Sequence, residues 1–249
     1  MKKIFILGII LIILMSCQIG FPQQESKIDS SRKVKIDSLL DTYSIEDILR
    51  YREYYQKQID ELREDKLRLR EKGIRDAEKF LANNPESNVL DKVIMRLAEL
   101  YYEETEDQYL RQMQEYDQRM EDLEISGIDT VLKEPVKDFS KSLIQYQRII
   151  DNFPHSNLVD DALYNKGFIL EEIGDIAFAL EIYESIIRDF PESRYIPDAL
   201  MRIAEYYFNP PRNEIETAIE YYKRILEYKD SPKFDEALYR LGWSYYRLS

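Results

Sequence analysis

The chain reads Phe153-Pro154-His155-Ser156 and then, 37 residues later, Phe190-Pro191-Glu192-Ser193. Two looser copies of this stretch contain Ser87 and Ser231. A small residue stands eleven positions after each of the four serines: Ala98, Gly167, Ala204 and Gly242. A residue without a bulky side chain lets two backbones approach closely, so its regular recurrence indicates a repeated helix contact.

Each unit between these serines contains two segments with helical periodicity. In the second unit, apolar residues recur at steps of three and four over 158–173 and again over 176–190. Gly174-Asp175 separates the two segments, and Pro191 stops the second one because proline cannot continue a helix. The serines can cap the helices that follow them. The pattern predicts an all-α stack of antiparallel helix pairs.

The spacing from Ser87 to Ser156 is 69 residues, so about 32 residues are inserted there. Apolar residues form a narrow heptad seam in this insertion and another one upstream. The members are Tyr109, Met113, Tyr116, Met120 and Leu123 in the insertion, and Ile45, Ile48, Tyr55, Ile59, Leu62 and Leu69 upstream. We predict two long antiparallel helices at 44–83 and 88–124, beginning at Ser44-Ile45-Glu46-Asp47, whose distal parts project as a hairpin. Folding of this hairpin back onto the stack is the alternative.

The repeated positions resemble the tetratricopeptide repeat, in which a small residue marks the first helix, an alanine and an aromatic residue mark the second, and a proline ends the unit. The matching residues are Gly167, Ala179, Tyr183 and Pro191, then Ala204, Ala218 and Tyr222, and before them Ser142, Tyr146 and Pro154. The resemblance covers about residues 72–249 and implies a TPR-like α-solenoid that binds proteins. The long unit with its Phe-Pro-x-Ser turn looks like the periplasmic branch of the family. That branch includes the barrel-assembly lipoprotein and the Tol–Pal-associated division protein.

The first residues have the pattern of an export signal. Lys2 and Lys3 precede an apolar run over 4–15, which is too short to span a bilayer. Leu14-Met15-Ser16-Cys17 resembles the bacterial lipobox, and the resemblance implies cleavage before Cys17 and acylation of this residue. The next residue, Gln18, resembles the signal that directs lipoproteins to the outer membrane. An ordinary secretion signal with an incidental cysteine, or an uncleaved anchor, is the alternative.

We therefore expect four regions along the chain. They are a lipoprotein signal peptide at 1–16, a polar flexible tether at 17–43, the long helical hairpin with the first repeat helices at 44–139, and TPR-like repeats at 140–249. Because Ser249 falls inside the first helix of a unit, we also expect the sequence to be truncated at its C-terminus.

The composition argues against catalysis and against binding of nucleic acid. The formal net charge is −13, which repels nucleic acid and anionic lipid surfaces. Cys17 and His155 are the only residues of their kinds, so the usual Cys/His metal sites and the Cys–His or Ser–His–Asp arrangements have too few members. The sequence therefore predicts no enzyme activity, no cofactor and no metal site.

Aromatic residues recur one and four positions after the small residues: Tyr102, Phe168, Phe208, Trp243 and Tyr246. In the repeats that this chain resembles, these positions face the inner groove, where rigid rings anchor a peptide or a helix at low entropic cost. Contact with an adjoining helix or with missing repeats is the alternative. The positions three after the small residues are predicted to be core: Tyr101, Leu170, Tyr207 and Tyr245.

Together these features favour a non-enzymatic, lipid-anchored scaffold on the periplasmic face of the bacterial outer membrane, acting in envelope assembly or division. Its partners would be the membrane, through the lipid, and other envelope proteins. Two alternatives are a surface lipoprotein that captures glycans or peptides, and the helical part of a larger cell-wall enzyme. Co-purifying proteins would favour the scaffold, and small-molecule binding by the aromatic residues would favour capture.

Overall fold

The structure is a computed structural model that describes residues 44–126 and 130–249. In this part of the chain it contains eight α-helices and no strand. They are α1 (Ile45–Asn83), α2 (Leu90–Ser126), α3 (Ser140–Asn152), α4 (Val159–Glu172), α5 (Ile176–Asp189), α6 (Ile196–Phe208), α7 (Ile215–Ile225) and α8 (Lys233–Leu248). The all-α prediction is confirmed for these residues. The predicted signal peptide at 1–16 and tether at 17–43, with Cys17, lie outside the described residues.

The described residues fall into two units, 44–69 and the part from residue 70 onward, and the boundary lies within α1. In the first unit, α1 begins with a reciprocal cap. The Asp47 amide N–H donates to Ser44 Oγ at 3.1 Å, and the Ser44 N–H donates to the Asp47 carboxylate at 3.2 Å. The hydrogen bonds from Ser44 lower the pKa of the Asp47 carboxyl. The predicted helix start at Ser44 is confirmed.

In the second unit, the last part of α1 packs antiparallel to the first half of α2. Tyr101 on α2 donates its hydroxyl to Glu78 on α1 at 2.5 Å. Further along α2, the Glu103 carbonyl accepts a bond from Arg70 at 3.1 Å, and Arg70 also pairs with Asp107. Both helices have nearly the predicted bounds. The predicted projection of their distal parts involves both units and stays a prediction.

Three successive helix pairs have the predicted antiparallel arrangement: α2 with α3, α4 with α5, and α6 with α7. Gly174, at φ 85°, ends α4 and reverses the chain into α5. The Asp175 N–H donates to the Leu170 carbonyl at 2.8 Å, and the Gly174 N–H donates to the Glu171 carbonyl at 3.0 Å. This pattern is a Schellman motif, which satisfies the carbonyls at a helix end and favours glycine at the left-handed position. The core lies between the helices of each pair, where Tyr183, Tyr222, Ile149, Ile186, Ile203 and Ile225 are fully buried.

The repeated serines join one repeat to the next. Ser156 Oγ accepts the Leu158 N–H at 3.2 Å and donates to Asp91 at 2.6 Å. Ser193 repeats the arrangement one unit later. These hydroxyls act in the turn before each helix, since the N-cap residues of α4 and α6 themselves make no side-chain cap in the described structure. Ser156 and Ser193 stand two residues before the N-cap residues Leu158 and Tyr195, so the prediction that the serines themselves cap these helices is wrong.

The predicted close contacts hold in the first repeats and fail in α8. Ala98 and Ala204 are completely buried, whereas the space around a Cβ at Gly242 is empty to 4 Å. Of the predicted core positions, Tyr101 is buried, and Leu170 and Tyr207 pack partly buried against the core. Tyr245 is 50% exposed. The predictions for Gly242 and Tyr245 are wrong, because no helix covers these two positions of α8 within the described residues.

Candidate protein-binding site

The helices that carry the small residues, α2, α4, α6 and α8, are called the first helices here, and α3, α5 and α7 the second helices. In two successive repeats, a glutamate on a first helix contacts both its own second helix and the next first helix. Glu171 accepts the Tyr183 hydroxyl at 3.0 Å and pairs with Arg202 at 3.4 Å. Glu205 accepts the Tyr222 hydroxyl at 2.6 Å and pairs with Arg240 at 2.9 Å. Each carboxylate thus joins its own second helix to the next first helix.

The buried tyrosines in these connections are held in the neutral form. Burial raises the pKa of the Tyr183 and Tyr222 hydroxyls well above the ordinary value, and the adjacent carboxylates add to the effect. A neutral hydroxyl keeps its proton and donates a hydrogen bond to the carboxylate. Neither connection was predicted from the sequence. Arg202 and Arg240 do stand at equivalent repeat positions, two residues before Ala204 and Gly242.

A cavity of about 240 Å³ opens between α2, α3 and α4. Tyr102, Tyr146 and Phe168 supply its aromatic wall, and the ring centroids of Tyr102 and Phe168 are 6.4 Å apart. Its polar rim is formed by Arg96, Glu99, Glu103 and Asn165. Arg96 pairs with Glu99 at 2.8 Å and lies 3.6 Å from Glu103. We call this space the Tyr102–Phe168 cavity; it unites two of the predicted groove residues.

A second cavity of about 300 Å³ lies one repeat later, between α4, α5 and α6. Tyr183 lines it at the position that Tyr146 has in the first cavity, and Arg202 takes the place of Asn165. Pro210 and Pro211, in the turn after α6, also line the second cavity. The two cavities are therefore lined from equivalent repeat positions, but partly by different side chains.

Residues 130–139 lie beside the Tyr102–Phe168 cavity without helix or strand structure. The Phe139 ring stacks on Tyr102, with centroids 5.2 Å apart, and is 2% exposed. Lys137 pairs with Glu106 on α2 at 2.7 Å and also with Glu172 on α4. Burial, with the Glu172 charge, raises the pKa of Tyr102 to about 12. The sequence analysis singled out neither Lys137 nor Phe139, since no local periodicity marks an extended segment.

Three of the predicted groove residues lie elsewhere. Phe208 is only 7% exposed, because the Arg247 guanidinium lies 4.6 Å from its ring centre and Tyr222 packs against it. Its assignment to an open groove is wrong, and it belongs to the core. Trp243 and Tyr246 are exposed on α8, with ring centroids 5.6 Å apart. Within the described residues, Trp243 also contacts the Tyr239 ring and has no ring contact with Phe168.

The stacked helix pairs and their repeated contacts define a helical-repeat protein. Residues 161–193 match the family described as "Tetratricopeptide repeat", which supports the tetratricopeptide family. These residues comprise most of α4, all of α5 and the turn that follows. Tetratricopeptide repeats are typically non-enzymatic interaction scaffolds, so the repeat suggests protein partners. A search of curated proteins found no match.

Two further findings concern the described residues alone. None of the helices in 44–126 and 130–249 is both long enough and apolar enough to cross a membrane. In the same ranges, no group of three or more His, Cys, Asp or Glu side chains is placed to hold a metal ion.

Proposed function

We propose that this chain is a lipid-anchored tetratricopeptide scaffold that binds envelope proteins on the periplasmic face of a bacterial outer membrane. The observation that carries the binding role is the Tyr102–Phe168 cavity. It is formed by three helices and is open to solvent, and its wall and rim combine apolar rings with charged groups. A small number of polar groups around an apolar cavity is the usual design of a recognition site.

The rings give the cavity its affinity for an apolar side chain. Tyr102 is held by stacking on Phe139, and Phe168 lies beneath the Arg202 guanidinium at 5.1 Å. Both rings are therefore ordered before a partner arrives, so binding loses little side-chain entropy. An apolar anchor residue of a partner peptide or helix would fill the space between them.

The rim adds a preference for positive charge. Glu99 and Glu103 share one cation, Arg96, so the three groups together carry a negative charge. A lysine or arginine next to the apolar anchor would compensate it. The formal net charge of −13 would also attract a basic partner toward the chain.

The anchor and the location rest on the N-terminal sequence. Leu14-Met15-Ser16-Cys17 supports cleavage before Cys17 and lipid attachment there, and residues 17–43 would set the reach of the folded part. The resemblance to periplasmic tetratricopeptide lipoproteins supports a role in envelope assembly or division.

Site-specific crosslinking in intact cells tests the binding role. A photo-crosslinking residue at Asn165, on the cavity rim, should capture a recurrent set of envelope proteins, and Phe168→Ala should remove those products. The same residue at Arg148, exposed on α3, is the control and should not capture them. Unchanged Asn165 products in a folded Phe168→Ala variant would refute the cavity as the binding site.

Metabolic labelling tests the anchor separately. The parent chain should incorporate labelled fatty acid and fractionate with outer membranes, whereas Cys17→Ala should do neither. If the parent chain never takes up label, the lipid anchor is wrong, while the binding role is unaffected.

A further inference from the structure

The α2–α3 and α6–α7 repeats agree at three positions beside the first helix and differ at a fourth. Both have a glutamate one position and an aromatic residue four positions after the small residue, and a buried tyrosine on the second helix. The members are Glu99, Tyr102 and Tyr146 in α2–α3, and Glu205, Phe208 and Tyr222 in α6–α7. At the fourth position, two residues before the glycine of the next first helix, α4 has Asn165 where α8 has Arg240.

In the α6–α7 repeat, Arg240 completes the arrangement. It pairs with Glu205 at 2.9 Å, and its guanidinium lies 6.0 Å from the ring centre of Phe208. The same glutamate accepts the Tyr222 hydroxyl at 2.6 Å. The guanidinium therefore has a carboxylate and an aromatic ring as its partners, and both belong to the preceding first helix.

In the α2–α3 repeat, no cation stands at the equivalent position. The Asn165 side chain turns back to its own helix and donates to the Asp161 carbonyl at 2.8 Å. Glu99 pairs with Arg96 of its own helix, but 56% and 42% of the arginine and glutamate side chains are exposed, so this pair is weak. Tyr146 donates to no carboxylate within the described residues. The Tyr102–Phe168 cavity opens at this position, with Asn165 on its rim.

We propose that the partner polypeptide inserts an arginine side chain into the Tyr102–Phe168 cavity, where it takes the position that Arg240 has in the α6–α7 repeat. Its guanidinium pairs with Glu99 and lies against the Tyr102 ring. This inference rests on the proposed binding role, and it identifies the charged residue that accompanies the apolar anchor of the partner.

The contacts favour arginine over lysine. A guanidinium is planar, so it can lie on an aromatic face while its N–H groups donate to a carboxylate, whereas an ammonium is compact and strongly hydrated. The α4–α5 repeat makes the same choice, since Arg202 pairs with Glu171 at 3.4 Å and lies 5.1 Å from the ring centre of Phe168. The rim also has a second carboxylate, Glu103, which lies 3.6 Å from Arg96. One further cation would therefore neutralise the rim.

Two peptides that differ in charge test the site. They are N-acetyl-Leu-Arg amide and its citrulline analogue, in which a neutral ureido group replaces the guanidinium. Each is titrated onto the full chain and followed by ligand-observed NMR. The arginine peptide should bind about tenfold more tightly or better, because its bonds to the carboxylate are charge-assisted. Equal affinities, or no binding of the arginine peptide, would overturn the proposal.

Two glutamate variants locate the binding. Glu99→Gln should remove the difference between the two peptides, because the carboxylate that recognises the guanidinium is gone. Glu181→Gln, an exposed change on α5, is the matched control and should leave the difference intact. A preference for arginine that survives Glu99→Gln would place the cation elsewhere and overturn the proposal.

An arginine on α4 itself gives a second measurement. Asn165→Arg should fill the position from within the chain, raise the melting temperature and abolish binding of the arginine peptide. Asn165→Met, a long side chain without charge, is the control for bulk. The gain in stability of Asn165→Arg over Asn165→Met should vanish in the Glu99→Gln background. A gain that does not depend on Glu99 would show that a guanidinium here does not reach the carboxylate.

The failure of this inference and the failure of the proposed function are distinguishable. If envelope proteins are captured at the cavity and Phe168→Ala removes them, but the two peptides bind equally, the binding role stands and the arginine is wrong. If the arginine peptide binds through Glu99 and crosslinking in cells captures no envelope protein, the arginine site stands and the envelope role is wrong.

Discussion

Gly167 lies against the ring of Tyr183, so closely that a Cβ atom on the glycine would be 2.9 Å from Cε1 of the tyrosine. The ring has no room to move away, because it is 1% exposed and its hydroxyl donates to Glu171 at 3.0 Å. Gly167 is therefore small because a ring of the second helix occupies the space that its side chain would need.

Gly167→Ala should consequently lower the free energy of unfolding. The clash with a packed ring costs about 1–3 kcal/mol, which exceeds the gain of about 0.5–1 kcal/mol from helix propensity. Urea denaturation measures the difference. Gly242→Ala is the matched control, since the space around its Cβ is empty, and it should raise the stability slightly. Equal effects of the two changes would contradict this explanation.

The second prediction concerns the Ser193 hydroxyl, which joins one repeat to the next by hydrogen bonds. It donates to Asp160 at 2.6 Å and accepts the Tyr195 N–H at 3.1 Å, so Ser193→Ala should cost about 1–2 kcal/mol of stability. A double-mutant cycle with Asp160→Asn should show coupling between the two side chains. Ser231→Ala is the control, because Pro197 takes the repeat position of Asp160, and it should cost less. If the losses of stability from Ser193→Ala and Asp160→Asn are additive, the Ser193–Asp160 hydrogen bond does not stabilise the fold.

Stability should fall at alkaline pH because of the buried tyrosines. Burial raises the pKa of Tyr183 and Tyr222 in the folded chain, whereas in the unfolded chain tyrosine ionises near its ordinary pKa of about 10. Their contribution is fully present below that pKa and is lost as the pH rises through it toward the folded value. Urea unfolding in steps from pH 8 to 11 measures the slope. Tyr183→Phe with Tyr222→Phe should reduce it, and a flat profile in the parent chain would refute this account.

Lys137 should determine how firmly residues 130–139 are held. Its ion pairs with Glu106 and Glu172 are partly screened from solvent, and Lys137→Met removes both of them. We expect faster cleavage at Glu134 by a glutamate-specific protease, with an unchanged helical spectrum. Lys133→Met, an exposed change in the same segment, should leave the rate near that of the parent. Equal rates in the two variants would show that the pairs do not hold the segment.

The helices were predictable from the sequence, whereas the burial of individual side chains on them was predictable only in part. Gly174 and Pro191 mark ends that the structure places within one residue of the predicted ones. Tyr102 and Phe168 do line one cavity, but Phe208 does not. The offset rule assigns all three to the groove, but Arg247 of α8 and Tyr222 of α7 cover the Phe208 ring and remove it from the groove.

The sequence alone determined the fold class, the helix bounds and the repeat. These depend on interactions between residues a few positions apart, which periodicity, glycines and prolines make visible. Only the tertiary structure decided which equivalent residues are covered. Gly167 and Gly242 occupy the same repeat position, yet one touches a ring and the other faces empty space. Burial depends on the helix that arrives opposite a residue, and that helix is distant in the chain.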